Sequence, residues 1–339
     1  NTLTQKQDEL NAIVSHLEEG MILLDNSSRV ITANQAALYL LDVKNSNNVV
    51  GTELLMLSRN MALQEAVQEA LTGKTVTRRA ELRGRILKIH AAAIGTPEKM
   101  SGVAVVLFDI TQSEQAEQRR REFTANVSHE LKTPLQSISG YSELLMRGMA
   151  KPEDVQPFAG RIYGETQRLI SLVEDIINLS RLDEGTGYQW SNANLLEIAR
   201  EVAVSLESCA ADKQVKLTVE GVPVQLRGVP ELLRGIAYNL CDNAIKYNKP
   251  GGSVTVSVNR ENDKAVLTVK DTGLGIPEGE QDRIFERFYR VDKSHSKEVG
   301  GTGLGLSIVK HAAMLHKAAI DVSSRPGVGT TIQVTFPIE

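Results

Sequence analysis

Phe123-Thr124-Ala125-Asn126-Val127-Ser128-His129-Glu130-Leu131-Lys132-Thr133-Pro134-Leu135 is the stretch richest in reactive side chains. Phe123, Val127, Leu131, Leu135 and Ile138 follow at spacings of four, four, four and three, the apolar face of a helix. At about 100° per residue, His129 lies about 200° from both Val127 and Leu131, so its ring should face solvent. Thr133, at i+4, shares that face. An imidazole nitrogen is a competent nucleophile near neutral pH. The adjacent carboxylate of Glu130 can hold the proton on the other nitrogen, although successive helical residues diverge. Pro134 cannot bond the Glu130 carbonyl and is expected to loosen or kink the helix beside the histidine. Alone, an exposed helical histidine is a solvated side chain, so its company decides the reading.

Three further segments carry chemistry. Asn239 and Asn243 stand at i, i+4 on one helix face, where amide oxygens can join a Mg²⁺ shell completed by water and phosphates. Lys246 adds positive charge three residues on. Asp271-Thr272-Gly273-Leu274-Gly275-Ile276 ends a strand; its carboxylate can accept from an exocyclic amine such as that of adenine, and its glycines let backbone pass close to a flat base. Gly300-Gly301-Thr302-Gly303-Leu304-Gly305-Leu306 runs into a helix, whose free amides can hold phosphate. It is neither a Walker A loop nor a Rossmann fingerprint. Each segment alone also fits an ordinary polar helix face or turn.

Together they resemble the sensor histidine kinases of bacterial two-component systems, and among them the phosphate-response type. Ser128 to Leu135 resembles the H box. Asn239–Tyr247, Asp271–Ile276 and Gly300–Leu306 resemble the N, G1 and G2 boxes, with Phe285-Glu286-Arg287-Phe288-Tyr289-Arg290 as the F box between them. Gly327-Val328-Gly329-Thr330-Thr331 is similar to the closing hairpin. The resemblance implies that His129 takes the γ-phosphoryl group of ATP, with Glu130 as base or orienter and Thr133 positioning water for the reverse task. It assigns Mg²⁺ to Asn243 with Asn239 beside it. Nucleotide contacts fall to Asn239, Asn243, Lys246, Tyr247, Asp271, Gly273, Gly275, Arg290, Gly301, Gly303, Leu304, Gly305 and Thr330. Arg290 would reach the γ-phosphate, Tyr247 would line the adenine pocket, and residues 277–302 would form a lid. Val229 departs from the pattern, which often has aspartate before that proline.

These residues need a scaffold of several domains. The chain has 339 residues, enough for two or three. A formal net charge of −4 speaks against nucleic-acid binding, and Arg119-Arg120-Arg121 reads as a solvated helix face. Aromatics are only 4%, so aliphatic side chains must build the cores. Cys209 and Cys241 have no metal or disulfide spacing, which fits a reducing cytosol. No apolar run approaches a membrane span. The opening on Asn1 suggests a cytoplasmic piece of a protein whose membrane anchor lies upstream.

Four regions follow. Residues 1–19 read as an N-terminal signalling helix, with Leu3, Leu10 and Leu17 spaced by seven. Residues 20–112 order as two strands, short helices over 34–41 and 60–71, and three strands, and resemble an α+β PAS domain. Without a cysteine it is unlike the cysteinyl-flavin subclass. His16 and His90 are its only histidines, and a small ligand or none is expected rather than haem. Residues 113–184 read as two long helices broken at Gly148–Pro152. Val155, Phe158, Ile162, Leu169, Leu172, Val173, Ile176, Ile177, Leu179 and Leu182 form a stripe too wide for one hairpin to bury. A homodimer closing a four-helix bundle would cover it. After a linker over 183–191, residues 190–339 read as an α/β sandwich of the Bergerat type, a mixed sheet with helices on one face. Trp190 reads as packing.

The expected function is autophosphorylation of His129 from Mg-ATP and transfer to an aspartate of a cognate response regulator, with phosphatase activity towards it. The rivals are an ATPase clamp sharing the nucleotide fold, which needs no phosphohistidine, and a non-catalytic ATP-binding scaffold.

Overall fold

The computed structural model describes residues 17–43, 49–96, 99–185, 187–291 and 301–338. The chain divides between Glu122 and Phe123 into two compact units. The expected helix over 1–19 lies almost wholly outside the described residues, as do His16 and positions 292–300 of the expected lid.

In the first unit, strands β1 (Gly20–Leu24) and β2 (Val30–Ala33) precede short helices α1 (Gln35–Leu40), α2 (Leu54–Leu57) and α3 (Met61–Ala70). Strands β3 (Val76–Leu82), β4 (Arg85–Thr96) and β5 (Lys99–Asp109) follow. They form one antiparallel sheet in the order β2-β1-β5-β4-β3. Alternation puts Ile22, Leu24, Leu87, Ile89, Val103, Val105 and Leu107 on the face that Leu54, Leu63 and Val67 cover. Asn34 and Asn60 cap α1 and α3, accepting from the amides of Ala37 and Leu63. The element order is as read; α2 went unread because four residues carry no period.

Helix α4 (Thr111–Met146) leads out of this unit and forms a hairpin with α5 (Pro152–Glu184). Pro152 sits at the N-terminal turn of α5, and Gly185 ends it at φ 64°, a left-handed conformation glycine adopts without strain. α4 runs unbroken through Pro134, so the proline removes one bond without ending the helix. Arg120 and Arg121 pair with Glu117 on the exposed face of α4.

The remaining elements form one lobe: β6 (Ser191–Asn194), α6 (Leu195–Asp212), β7 (Lys216–Gly221), β8 (Gln225–Gly228), α7 (Pro230–Lys246), β9 (Ser253–Glu261) and β10 (Lys264–Asp271). Two 3₁₀ turns (Glu278–Glu280 and Arg283–Phe285) precede α8 (Gly305–Leu315), β11 (Ala319–Arg325) and β12 (Gly329–Pro337). The main sheet runs β11-β12-β10-β9-β7, with β7 parallel to β9 and the other pairs antiparallel. Val254, Val256, Val258, Leu267, Val334 and Phe336 meet Leu233, Ile236, Leu240 and Val309 in the core. The 223–227 strand joins β6 in a separate two-stranded ribbon instead of the main sheet. β6 occupies a stretch read as linker because Ser-Asn-Ala-Asn has little strand propensity.

Three side chains on one edge of α5, Leu172, Leu179 and Leu182, are buried in the lobe's core, with Phe123, Leu131 and Ile176 packed against it. The opposite edge is bare: Val155, Tyr163, Ile170, Val173 and Ile177 are exposed, as is Leu135 on α4.

Candidate nucleotide site and the histidine helix

A cleft of about 1350 Å³ opens over α7, between the lobe and the α4–α5 hairpin. Its lobe side gathers Asn239, Asn243, Lys246, Tyr247, Asp271, Gly275, Arg290, Gly301, Gly303, Gly305 and Thr330. Sequence positions almost a hundred apart thus meet because α7 forms the floor, β10 ends at Asp271, and the 301–304 loop crosses above.

Asp271 is held by backbone. Its Oδ1 accepts from Gly273 N–H at 2.7 Å and Thr330 N–H at 3.2 Å. Among the described residues no hydrogen bond reaches Oδ2, which remains for a donor in the cleft. Burial raises this carboxyl above its ordinary value, against the two amides that lower it. Gly273 itself is buried and acts through its amide, and a Cβ there would lie 2.4 Å from the Tyr247 carbonyl. Thr330 is buried and bonds Ser324 Oγ at 2.9 Å.

On α7, Leu240, Cys241, Ala244 and Ile245 face the core while Asn239 and Asn243 face the cleft. Asn239 donates from Nδ2 to the Gly235 carbonyl at 2.8 Å, leaving its oxygen directed to the first residue of α8. A Cβ on Gly305 would sit 2.5 Å from that oxygen, so only glycine lets the helix approach so closely. Among the described residues no side chain caps α8, as an anion site there requires. The helix begins at Gly305, two residues later than expected, because Gly303 takes φ +72° in the loop. Leu304 is fully buried and contributes no side chain to the cleft. Lys246 bonds Asp242 at 2.6 Å, so its charge reaches the cleft already paired. Arg290 donates from Nη2 to the Gly301 carbonyl, while its buried Nε has no partner among the described residues.

His129, Glu130 and Thr133 do not line the cleft. His129 is exposed, as its angular position required. Thr133 Oγ1 bonds the His129 carbonyl at 3.3 Å, which fixes the hydroxyl on the histidine's face. Glu130 is engaged across the hairpin in this structure. Among the described residues no hydrogen bond joins it to the His129 ring; its carboxylate turns about 100° away and meets Arg168 of α5 at 3.3 Å.

Several cleft residues were not foreseen. Arg161, Glu165, Arg168 and Asp175 form the hairpin wall. Thr302 donates to Asp175 Oδ2 at 2.7 Å, and burial raises the Asp175 carboxyl. Arg287 bonds Asp183 at 2.7 Å and lies over the Phe123 ring, which stacks on Phe288. The available signal was polar residues interrupting the apolar face of α5. Val229 also finds its explanation: its N–H donates to Nε2 of His316 at 3.0 Å, so an imidazole from α8's end anchors the start of α7 where a carboxylate cap is absent. Trp190 stacks on that same ring at 5.1 Å. Cys241 is buried, its thiol pushed up to about 12, and is no nucleophile.

Residues 228–339 match the family of histidine kinase-, DNA gyrase B-, and HSP90-like ATPases, and residues 119–185 match the His Kinase A (phospho-acceptor) domain. The sensor histidine kinase WalK of Bacillus subtilis is 34% identical over 340 residues, 97% of this chain and 55% of that protein. The sensor protein kinase WalK of Staphylococcus aureus is 32% identical over 349 residues, 100% of this chain and 83% of that protein. This chain therefore spans about half the length of the Bacillus relative. The histidine kinase ThkA, solved in complex with response regulator protein TrrA, shares the fold with a TM-score of 0.52 at 21% identity, over 97% of this chain and 98% of that one. No described helix is long and apolar enough to cross a membrane. With a relative above 30% identity covered over four-fifths of its length, and both domain families matched in order, the chain belongs to the sensor histidine kinases.

Proposed function

We propose that this chain phosphorylates His129 from Mg-ATP and passes the phosphoryl group to an aspartate of a response regulator. The observation that carries the reading is Asp271: one oxygen is fixed by two backbone amides and the other is left to a cleft whose opposite wall is the hairpin bearing an exposed histidine. A half-satisfied carboxylate beside glycines suits the exocyclic amine of adenine. The uncapped start of α8 and Arg290 suit its phosphates.

The chemistry is positioning and charge neutralisation. A lone pair of the imidazole attacks the γ-phosphorus in line, the bond to the β,γ-bridging oxygen breaks, and ADP leaves. The proton on the other ring nitrogen passes to Glu130, which must first turn from Arg168. The cleft as described does not contain His129, so the lobe must leave α5 and re-seat over the ring. The donor set fits Mg²⁺: amide oxygens on α7, and among the described residues no cluster of three acidic, histidine or cysteine ligands. Asn243 and Asn239 would hold the ion, which would neutralise charge between the β- and γ-phosphates.

Thr133, on the face of His129, positions water for regulator dephosphorylation. The bare edge of α5 and Leu135 support a homodimer closing a four-helix bundle. The domains are read as 20–112, 113–184 and 190–339. The sheet order β2-β1-β5-β4-β3 with helices between β2 and β3 supports a PAS-like sensor, read as taking a small ligand or none. The full protein is read as membrane-anchored, with this part in the cytoplasm.

The test is incubation with γ-labelled ATP, wild type against His129→Gln. Acid-labile, base-stable label on the wild type alone is expected. ATP hydrolysis without protein label would favour the ATPase clamp and sink the phosphotransfer reading.

A further inference from the structure

Glu130 is occupied. Its Oε2 accepts from Arg168 Nη2 at 3.3 Å across the hairpin, and both side chains are largely screened, 31% and 25% exposed. Three residues before Arg168, Glu165 keeps Oε2 buried with no hydrogen-bond partner among the described residues. Residues three apart on a helix are neighbours. Arg168 therefore stands between two carboxylates, one satisfied from α4 and one unmet on its own helix. A buried carboxylate oxygen without a donor is costly and draws any cation within reach. Arginine suits such an exchange, since its fork carries five donors and needs no proton to change partners.

We propose that Arg168 is a positioning residue acting through Glu130: while it holds Glu130 it keeps that carboxylate off the His129 ring, and moving its guanidinium to Glu165 releases Glu130 to orient the imidazole. No bond or proton is transferred; only hydrogen-bond partners change. The two pairs differ in what they sense. Glu130–Arg168 joins α4 to α5 and lengthens when the helices slide, whereas Glu165–Arg168 lies within α5 and does not. The exchange thus converts a shift of the hairpin into availability of the base. The inference rests on His129 being the phospho-acceptor.

The experiment measures single-turnover phosphohistidine formation on the full chain with γ-labelled ATP, and KM for ATP, in wild type, Glu165→Gln, Arg168→Gln and the double variant. Glu165→Gln should leave Arg168 on Glu130 and slow formation roughly three- to tenfold at unchanged KM. Arg168→Gln should react at least as fast as wild type, and in that background Glu165→Gln should have no further effect. Arg168→Lys, which keeps a cation, should restore the sensitivity to Glu165→Gln. A wild-type thermal melting midpoint certifies the fold of each variant. A wild-type rate in Glu165→Gln, or single effects that simply multiply in the double variant, overturns the proposal. A wild type that takes no acid-labile label takes down the phosphotransfer reading with it, whereas a labelled wild type indifferent to Glu165 sinks this inference alone.

Discussion

The nucleotide cleft and the histidine helix are built on opposite principles. Around Asp271 two backbone amides fix one carboxylate oxygen, and α7 and α8 are seated in a continuous apolar core. Around His129 the helix is held by one apolar edge and, among the described residues, one ion pair to α5, and the ring itself touches open solvent. The difference teaches where rigidity is useful. A nucleotide is recognised by groups that must not move, because each mobile group loses entropy on binding. Under the proposed function, His129 must visit the γ-phosphate and then a regulator, and a ring fixed by its neighbours could do neither.

The sharpest way to break this contrast is His129→Gln. Phosphorylation should vanish entirely while ATP affinity, read by isothermal titration, stays at the wild-type value; a weakened affinity would show that the two regions are not separable. Leu179→Ala comes next. Leu179 is fully buried where α5 meets the lobe, and its truncation should cost about 2–5 kcal/mol in denaturant unfolding. Asp271→Asn should lower ATP affinity roughly 10- to 100-fold, since it removes a charge-assisted bond worth about 1.5–3 kcal/mol. Melting temperature should barely fall.

His316 gives a pH dependence confined to the rigid lobe. Its Nε2 accepts from Val229 and its Nδ1 faces the Ala312 carbonyl at 2.7 Å, so the ring is neutral, and burial lowers its pKa below the ordinary 6.5. The unfolded chain then binds the proton first. Stability from this site is complete above pH 6.5 and is lost as pH falls from there towards the depressed folded value. Thermal melts between pH 7.5 and 5.5 should show the loss in wild type and a smaller one in His316→Gln. Arg287→Gln should do least. Its bond to Asp183 is partly exposed, and such pairs contribute about 0–1 kcal/mol; a larger change would mean that ion pairs, not Leu179 and its neighbours, hold the lobe to α5.

The legibility of the chain followed the same divide. Asn239, Asn243, Asp271 and the 301–305 loop were readable because their local chemistry, an i, i+4 pair, a strand-end carboxylate and a glycine run, needs no distant partner to be noticed. The exposure of His129 was likewise set by helical angle alone. What escaped depends on which surfaces meet. Asp175, Arg168 and Asp183 are ordinary helix polars until the lobe and α4 come against α5. Glu130 shows the same: adjacency in sequence points to the imidazole, while the partner it meets in the fold is an arginine thirty-eight residues away. β6 was lost because pairing with β8, not its residues, makes it a strand. Val229 looked like a defect until His316 came to its amide from the far end of the lobe.

Cys241 sits on α7 two positions before Asn243, fully shielded. A thiol reagent can reach it only in molecules whose pocket floor has come away from the sheet. The rate of its modification is therefore a stopwatch on that rare opening, and a nucleotide gripping the helix from the other side should slow the hand.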